Sequence, residues 1–294
     1  MRFVHSLWTR PSLEERWNID ARTGLIANLW YYALSVAYLK EQNHEVVLHT
    51  DELGKECLNH IPYDNIHLTI EEKIPEGTCP IMWASAKIYA LQEEPLGSVL
   101  IDGDVFIKSQ KCIELINAGP CDLFVQGLEN IDLWNEQMPN ALFQENETYL
   151  TNLELPKDIK NTDNKAYNTG VLMFNNEELK QKYIDTYLFM MNQVLNNEEI
   201  INMWKENKNI CPDLIIEQKF LYELAKKYKV RSLLDYSTKS INIAANEIGF
   251  QHVFGKRKYT ELDICKRVLG FVDHDLYEAT IKKEEEITNK YFNN

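Results

Sequence analysis

The chain lacks paired cysteines, turn-rich linkers, a basic excess and any long apolar run, and each absence excludes something. Its six cysteines, Cys57, Cys79, Cys112, Cys121, Cys211 and Cys265, are scattered with no C-x-x-C pair. That excludes a zinc ribbon and a disulfide scaffold and reads as reduced structural thiols. Only 11 Gly and 9 Pro occur in 294 residues, so collagen-like, low-complexity and disordered classes fall away, and no Pro-, Gly- or Ser-rich linker or internal repeat marks a boundary. With 31 basic against 45 acidic residues, a net charge of −14, a broad grip on nucleic acid is excluded, although one nucleotide held through a metal is not. No window approaches the roughly 20 apolar residues of a membrane span. The run opening the chain is too short for a signal peptide before Glu14-Glu15-Arg16, so cytoplasmic residence is the expectation and the sequon Asn146-Glu147-Thr148 is read as a chance match.

What is present is a 45% hydrophobic, 26% charged chain with 15 Tyr and 6 Trp, long enough to bury a substantial core. Short apolar runs at residues 2–8, 45–50, 66–70 and 98–102 alternate with helical patterns, the signature of βαβ units and a mostly parallel sheet flanked by helices. Leu25, Leu29, Tyr32, Val36 and Leu39 recur in steps of four and three, one face of a helix that ends before Asn43-His44. A second helix is expected over 83–92. Further on, strands are expected at 122–126, 170–174 and 230–234, and helices over 177–194 and 213–228. Residues 128–165 are irregular and acidic, a long loop or an inserted subdomain. The charged segment 282–290 reads as a solvated helix.

The stretch Val99-Leu100-Ile101-Asp102-Gly103-Asp104-Val105-Phe106-Ile107 carries the most chemistry. Two carboxylates one residue apart are costly inside a strand buried on both faces, and a hard divalent cation would compensate them. Gly103 would let a phosphate or sugar approach the backbone. Asp-Gly is equally the commonest hairpin turn. The strand-end placement favours the site, because ligands of open parallel sheets sit outside the carboxyl ends of the strands. An EF-hand is excluded: counted from Asp102, Phe106 and Ile107 stand where that loop needs an oxygen ligand and a glycine.

Three further segments could complete a site. Tyr167-Asn168-Thr169-Gly170-Val171 puts a polar pair and a glycine before an apolar strand, which a strand-entry turn also explains. In Pro212-Asp213-Leu214-Ile215-Ile216-Glu217-Gln218, Asp213 can cap a helix with Glu217 and Gln218 one turn in. Gln251-His252-Val253-Phe254-Gly255-Lys256-Arg257-Lys258 offers an imidazole for a metal, a glycine for close approach and three cations for a diphosphate.

Taken together these segments resemble metal-dependent glycosyltransferases of the GT-A fold, in particular the retaining family-8 type that includes glycogenin and bacterial galactosyl- and glucosyltransferases. The family order is Asp-x-Asp, Asn-x-Gly-Val, Asp-Gln, then His-x-x-Gly-x-x-Lys. This chain has Asp102-Gly103-Asp104, Asn168-Thr169-Gly170-Val171, Glu217-Gln218 and His252-Val253-Phe254-Gly255-Lys256-Arg257-Lys258. It differs from the family at Glu217, and at Tyr259-Thr260, where a Pro-Trp often stands. The resemblance implies a single GT-A-like domain over 1–294, with 1–108 as the nucleotide-binding half and 109–294 as the acceptor-side half and C-terminal helices. It further implies that Asp102, Asp104 and His252 hold Mn2+ or Mg2+, with Asp102 reaching the ribose as the alternative. The donor diphosphate of a nucleotide sugar would lie near Gly103, Gly255, Lys256, Lys258 and Lys87. Residues 5–9, among them His5, Trp8 and Thr9, would border the base, and Asn168 and Gln218 would contact the donor sugar at its reacting carbon. The implied reaction moves a sugar from a UDP-sugar or similar donor to a glycan or small hydroxyl acceptor. Two alternatives remain: a catalytically inactive nucleotide- or carbohydrate-binding protein, and a sugar-nucleotide nucleotidyltransferase. Against the latter, Ser6-Leu7-Trp8-Thr9-Arg10-Pro11 stands where a Gly-rich phosphate loop would follow the first strand.

Overall fold

The computed structural model describes residues 1–130, 153–157, 159, 164–208, 212–235, 241–253 and 255–293. The expected irregular stretch 128–165 falls mainly outside them, as do Cys211 and Phe254. A seven-stranded sheet runs through the molecule. Its strands are β1 (Arg2–Leu7), β2 (Glu45–Thr50), β3 (Asn65–His67), β4 (Val99–Ile101), β6 (Leu123–Asn130), β7 (Lys165–Phe174) and β8 (Val230–Asp235), in the order β3-β2-β1-β4-β7-β6-β8. β1 pairs in parallel with β2 and β4, as β2 does with β3 and β6 with β8; β7 alone runs against its neighbours. The fold is therefore mixed α/β, with a mostly parallel central sheet between helices. A second, antiparallel sheet joins β5 (Val105–Ile107) to β9 (Phe250–His252).

The helices are α1 (Arg10–Leu13), α2 (Ala21–Glu41), α3 (Glu52–Leu58), α4 (Thr69–Lys73), α5 (Ser85–Glu93), α6 (Gln110–Asn117), α7 (Glu177–Leu195) and α8 (Glu198–Glu206). Three abutting pieces follow as α9: Pro212–Leu214, a π-helical turn Ile215–Lys219, and Phe220–Ala225. The chain continues with α10 (Ile241–Glu247), α11 (Arg257–Thr260), α12 (Leu262–Val272) and α13 (His274–Tyr291). Among the described residues no helix is long and apolar enough to cross a membrane.

Three expectations need correction. The strand expected at 66–70 stops at His67, because Thr69 and Ile70 already belong to α4. The helix expected over 213–228 contains the π-turn and ends at Ala225. Helix α2 was expected to bury one face, yet it is buried on nearly all sides, with Leu25, Trp30, Ala33 and Leu39 each at most 1% exposed. The reason is that α12 and α13 close over the side of α2 that faces away from the strands. Segment 282–290 lies in α13, where Ile287 and Thr288 are buried while Lys282 and Lys290 stay in solvent. One core packs α2, α12 and α13 against one face of the sheet; a second packs α5, α7 and α9 on the other strand residues, with Val47, Leu100, Val125 and Leu172.

Candidate functional site

The Asp102-Gly103-Asp104 element is a turn, closed by Val105 N–H donating to the Asp102 carbonyl at 3.0 Å. It is not a hairpin, because β4 pairs with β1 and β7 whereas β5 leaves to pair with β9. The two acids thus stand at the carboxyl end of a strand in the parallel part of the sheet, where two sheets part, the usual position of a ligand crevice. Gly103 serves packing: a Cβ there would lie 2.1 Å from the Tyr32 ring. Tyr32 is itself fixed by donating to the Ser6 carbonyl at 2.6 Å.

The two acids have different partners. Asp102 Oδ1 lies 2.8 Å from Lys87 Nζ. Lys87, 5% exposed on α5, also donates to Glu217 Oε1 at 2.6 Å and to the Thr169 carbonyl at 3.1 Å. Burial opposes the Lys87 charge, but Asp102 and Glu217 outweigh it and raise the ammonium above its ordinary range. Asp104 faces the C-terminal segment, with His252 Nε2 3.4 Å from Oδ1 and Lys258 Nζ 3.8 Å from Oδ2. Burial works to raise the Asp104 carboxyl, yet Lys258 and His252 prevail and bring it down to about 2.

Asp102, Asp104 and His252 bring one ligand atom each within 4.8 Å of one another. The donor set, two carboxylates and an imidazole, suits Mn2+ or Mg2+. His252 is prepared for this role, because its Nδ1 lies 2.9 Å from Gln126 Oε1. That contact fixes the orientation of the ring, with Nε2 turned toward Asp104. Gln126 sits at a β-bulge in β6, where the register shifts between Val125 and Gly127, and bulges re-aim side chains beside functional sites. Gly170 completes this corner: a Cβ there would come within 2.3 Å of Gln126 Oε1 and 2.6 Å of His252 Cε1.

Among the described residues a second group, His49, His67 and Glu94, also brings ligand atoms together. Its groups are committed to one another. His49 joins Thr69 Oγ1 at 2.8 Å and Glu94 Oε1 at 2.9 Å, while Arg2 donates to both Glu94 oxygens at 2.6 and 2.9 Å. Burial works against the Glu94 charge, but His49 and Arg2 overcome it and lower the carboxyl to about 2. His67 stacks on the His49 ring with centroids 4.9 Å apart, and the group forms an ion network between strands and helix.

The cleft over the turn is lined by Ser6, Leu7, Trp8, Lys87, Asp102, Gly103, Asp104, Asn168, Gln218, His252, Gly255 and Lys258. Those twelve were singled out from sequence or lie in segments that were. Five others fall elsewhere. His5 is buried behind the cleft, with its ring nitrogens 2.9 Å from Tyr63 Oη and 3.1 Å from Ser35 Oγ, and burial lowers its imidazole to about 3. Thr9 turns to Asp51, whose Oδ2 accepts from both its N–H and hydroxyl at 2.8 Å. Lys256 is exposed outside the lining. Glu217 is 1% exposed and directed at Lys87 and Thr169, whose hydroxyl donates to it at 2.7 Å. Asp213 is not a solvated cap but fully buried, accepting from Ala84 N–H at 2.6 Å and from the Tyr187 hydroxyl. Burial, first of all, raises its carboxyl to about 7.

The π-turn explains how α9 divides its labour. A π-turn inserts one residue into a helix and is frequent at functional sites. Here Glu217 is directed inward to Lys87, while its neighbour Gln218 lines the cleft. Asn168 donates to Glu129 Oε1 at 2.7 Å and accepts from Gly170 N–H at 3.0 Å, which holds its amide at the rim.

The sequence reading missed a strap at the cleft wall. Arg16 lies 3.4 Å over the Trp83 ring and 4.2 Å from the Trp17 ring, a cation–π sandwich. Glu15, Trp17 and Asn18 have φ of 58°, 60° and 57°, left-handed values that cost non-glycine residues energy and cluster at functional sites. Glu14-Glu15-Arg16 had been noted only for its charge. No signal in the sequence betrays the left-handed backbone. Comparison with curated proteins and with solved structures finds no match to this chain. The chain belongs to the family of unknown function DUF6734, whose model matches residues 1–279.

Proposed function

We propose that this protein is a metal-dependent glycosyltransferase of the GT-A fold that moves a sugar from a nucleotide-diphospho-sugar, with UDP as the expected nucleotide, to a hydroxyl acceptor. The observation that supports it best is the meeting of Asp102, Asp104, His252 and Lys258 at the carboxyl end of β4, although they come from segments some 150 residues apart. The mostly parallel sheet, with β7 reversed and the β5–β9 pair beside the acids, is consistent with that fold.

Asp102, Asp104 and His252 would hold Mn2+ or Mg2+, which when bound would act as a Lewis acid on the diphosphate. Lys258 adds fixed positive charge where the departing diphosphate gains negative charge, an interaction strongest in the transition state. Lys87 holds Asp102 in place through their ion pair. Trp8 and its neighbours Ser6 and Leu7 border the base. Gln218 and Asn168 present amides to the donor sugar. The acceptor oxygen bonds to the anomeric carbon as the bond from that carbon to the phosphate oxygen breaks, and the leaving phosphate takes the hydroxyl proton. Glu217 is not used as base or nucleophile, because Lys87 and Thr169 occupy it. Retention of configuration is part of the proposal.

The test is thermal shift with UDP, GDP and CTP, each with and without Mn2+, followed by assay of UDP released from UDP-sugars without acceptor. Expected is a UDP shift that needs Mn2+ and vanishes in Asp104→Ala and His252→Ala; ligand at a hundred times its Kd adds about 2.7 kcal/mol of stability. Turnover of nucleoside triphosphates alone, with release of pyrophosphate, would replace the proposal with a nucleotidyltransferase.

A further inference from the structure

Buried hydroxyls in this protein are as a rule spent inside it. Tyr32 donates to the Ser6 carbonyl at 2.6 Å, Tyr183 to the Glu217 carbonyl at 3.2 Å, and Tyr187 to Asp213. Among the described residues the exceptions are Thr288, away from the cleft, and Tyr31. The Tyr31 side chain is 2% exposed, its hydroxyl is buried without a hydrogen-bond partner, and it lines the cleft with Asp104, Gly255, Lys258 and Tyr259. An orphaned buried donor carries a stability cost and calls for an explanation.

The ring has no freedom to find a partner elsewhere. It stacks on Phe106 of β5 with centroids 5.9 Å apart and planes 10° from parallel, and it rises from α2, which is packed on nearly all sides. Burial, then the charges of Cys265, Asp104 and Glu261, hold the proton on the phenol, with Arg257 opposing. The hydroxyl is thus a donor in the cleft that Asp104 also lines. A second donor shares the cleft: Trp83 Nε1 is also buried without a partner. Two such donors on different segments, facing one space, describe a ligand rich in hydrogen-bond acceptors.

We propose that Tyr31 is a ligand-binding residue whose hydroxyl donates to a phosphate oxygen of the diphosphate held at Asp102, Asp104 and His252. The assignment rests on the nucleotide-sugar reading above and adds a contact to it. Phosphate oxygens accept, and Lys258, which lines the same cleft, favours an anion there. The stability given up by the ligand-free protein is regained when the ligand binds, the trade often made at functional sites.

Tyr31→Phe removes the hydroxyl and keeps the stacked ring. Its urea unfolding without ligand is compared with that of Tyr32→Phe, which loses a made hydrogen bond. Calorimetry then measures Mn2+-dependent binding of inorganic pyrophosphate and of UDP to wild type, Tyr31→Phe and Asp104→Asn. Expected is a Tyr31→Phe variant at least as stable as wild type, a destabilised Tyr32→Phe, and affinities for both probes about tenfold or more weaker in Tyr31→Phe. Destabilisation of Tyr31→Phe comparable to that of Tyr32→Phe would overturn the orphaned donor. Wild-type affinity of Tyr31→Phe for pyrophosphate would overturn the phosphate contact alone. Failure of wild type to bind either probe, or full binding by Asp104→Asn, would overturn the nucleotide-sugar reading and the Tyr31 assignment with it.

Discussion

Replacing Lys87 by methionine tests the electrostatic logic of the site without any ligand. The side chain is buried, and its ammonium is shared by Glu217 at 2.6 Å and Asp102 at 2.8 Å. The two acids will not suffer equally. Asp102 is 31% exposed and can recover hydration, whereas Glu217 is 1% exposed and cannot. Removing one member of a buried ion pair costs about 3–5 kcal/mol, because the other is left uncompensated. Lys87→Met should therefore lose that amount at pH 7, mostly through Glu217. The variant's Glu217 should then hold its proton above the unfolded value of about 4.3. Between those two values the folded state binds the extra proton, so stability falls as pH rises. The deficit should be smallest near pH 4.5 and fully developed at neutral pH. Urea unfolding of Lys87→Met and of Lys87→Met/Glu217→Gln at both pH values is the assay, with the double variant recovering at least half of the loss. A loss under about 1 kcal/mol at pH 7, or no recovery in the double variant, would refute the account.

Two further outcomes are expected. Asp213 is held to about 7 by burial, above its unfolded value of about 3.9, so the folded state loses stability as pH rises from that value to 7, on the order of 4 kcal/mol in total. Asp213→Asn keeps an acceptor for Ala84 N–H and should flatten the urea midpoint across that window; an unchanged slope would count against the burial argument. Gly170→Ala places a Cβ within 2.6 Å of the His252 ring and should weaken Mn2+ affinity by tenfold or more, the usual range for disturbing a ligand's supporting contacts. Calorimetric titration with Mn2+ checks it, and unchanged affinity would count against His252 as a ligand.

The sequence makes legible the elements whose pattern is local. β1, β2, β4 and the cores of α2, α5 and α7 follow from apolar runs and helical periodicity. The meeting of Asp102, Asp104, His252 and Lys258 could be expected from motif order, since each segment carries a residue type that metal or phosphate binding needs. Side-chain direction was harder to read. Residues 5–9 were taken together as a border to the base, but among them only Ser6, Leu7 and Trp8, at the carboxyl end of β1 and just beyond it, line the cleft. His5 goes instead to Ser35 and Tyr63. Glu217 could be placed from sequence only one turn into a helix beside Gln218, and the contact with Lys87, 130 positions away, sends it inward. Gln126 left a faint signal, one amide at the end of an apolar strand before Gly127. Its purpose needs the bulge and His252 to be visible.

The parts of the Asp102-Gly103-Asp104 turn take separate tasks in the fold. The glycine looked like room for a ligand, and the room is taken by Tyr32. One acid is tied through Lys87 to α5 and α9 and the other through His252 and Lys258 to the C-terminal segment. Because β4 and β5 belong to different sheets, the turn fixes the distance between those two sets of partners. The spacing of the two acids is then a requirement of the packing before any metal arrives. A ligand bound there would be met by groups already neutralised and oriented, so little reorganisation is left to oppose its binding.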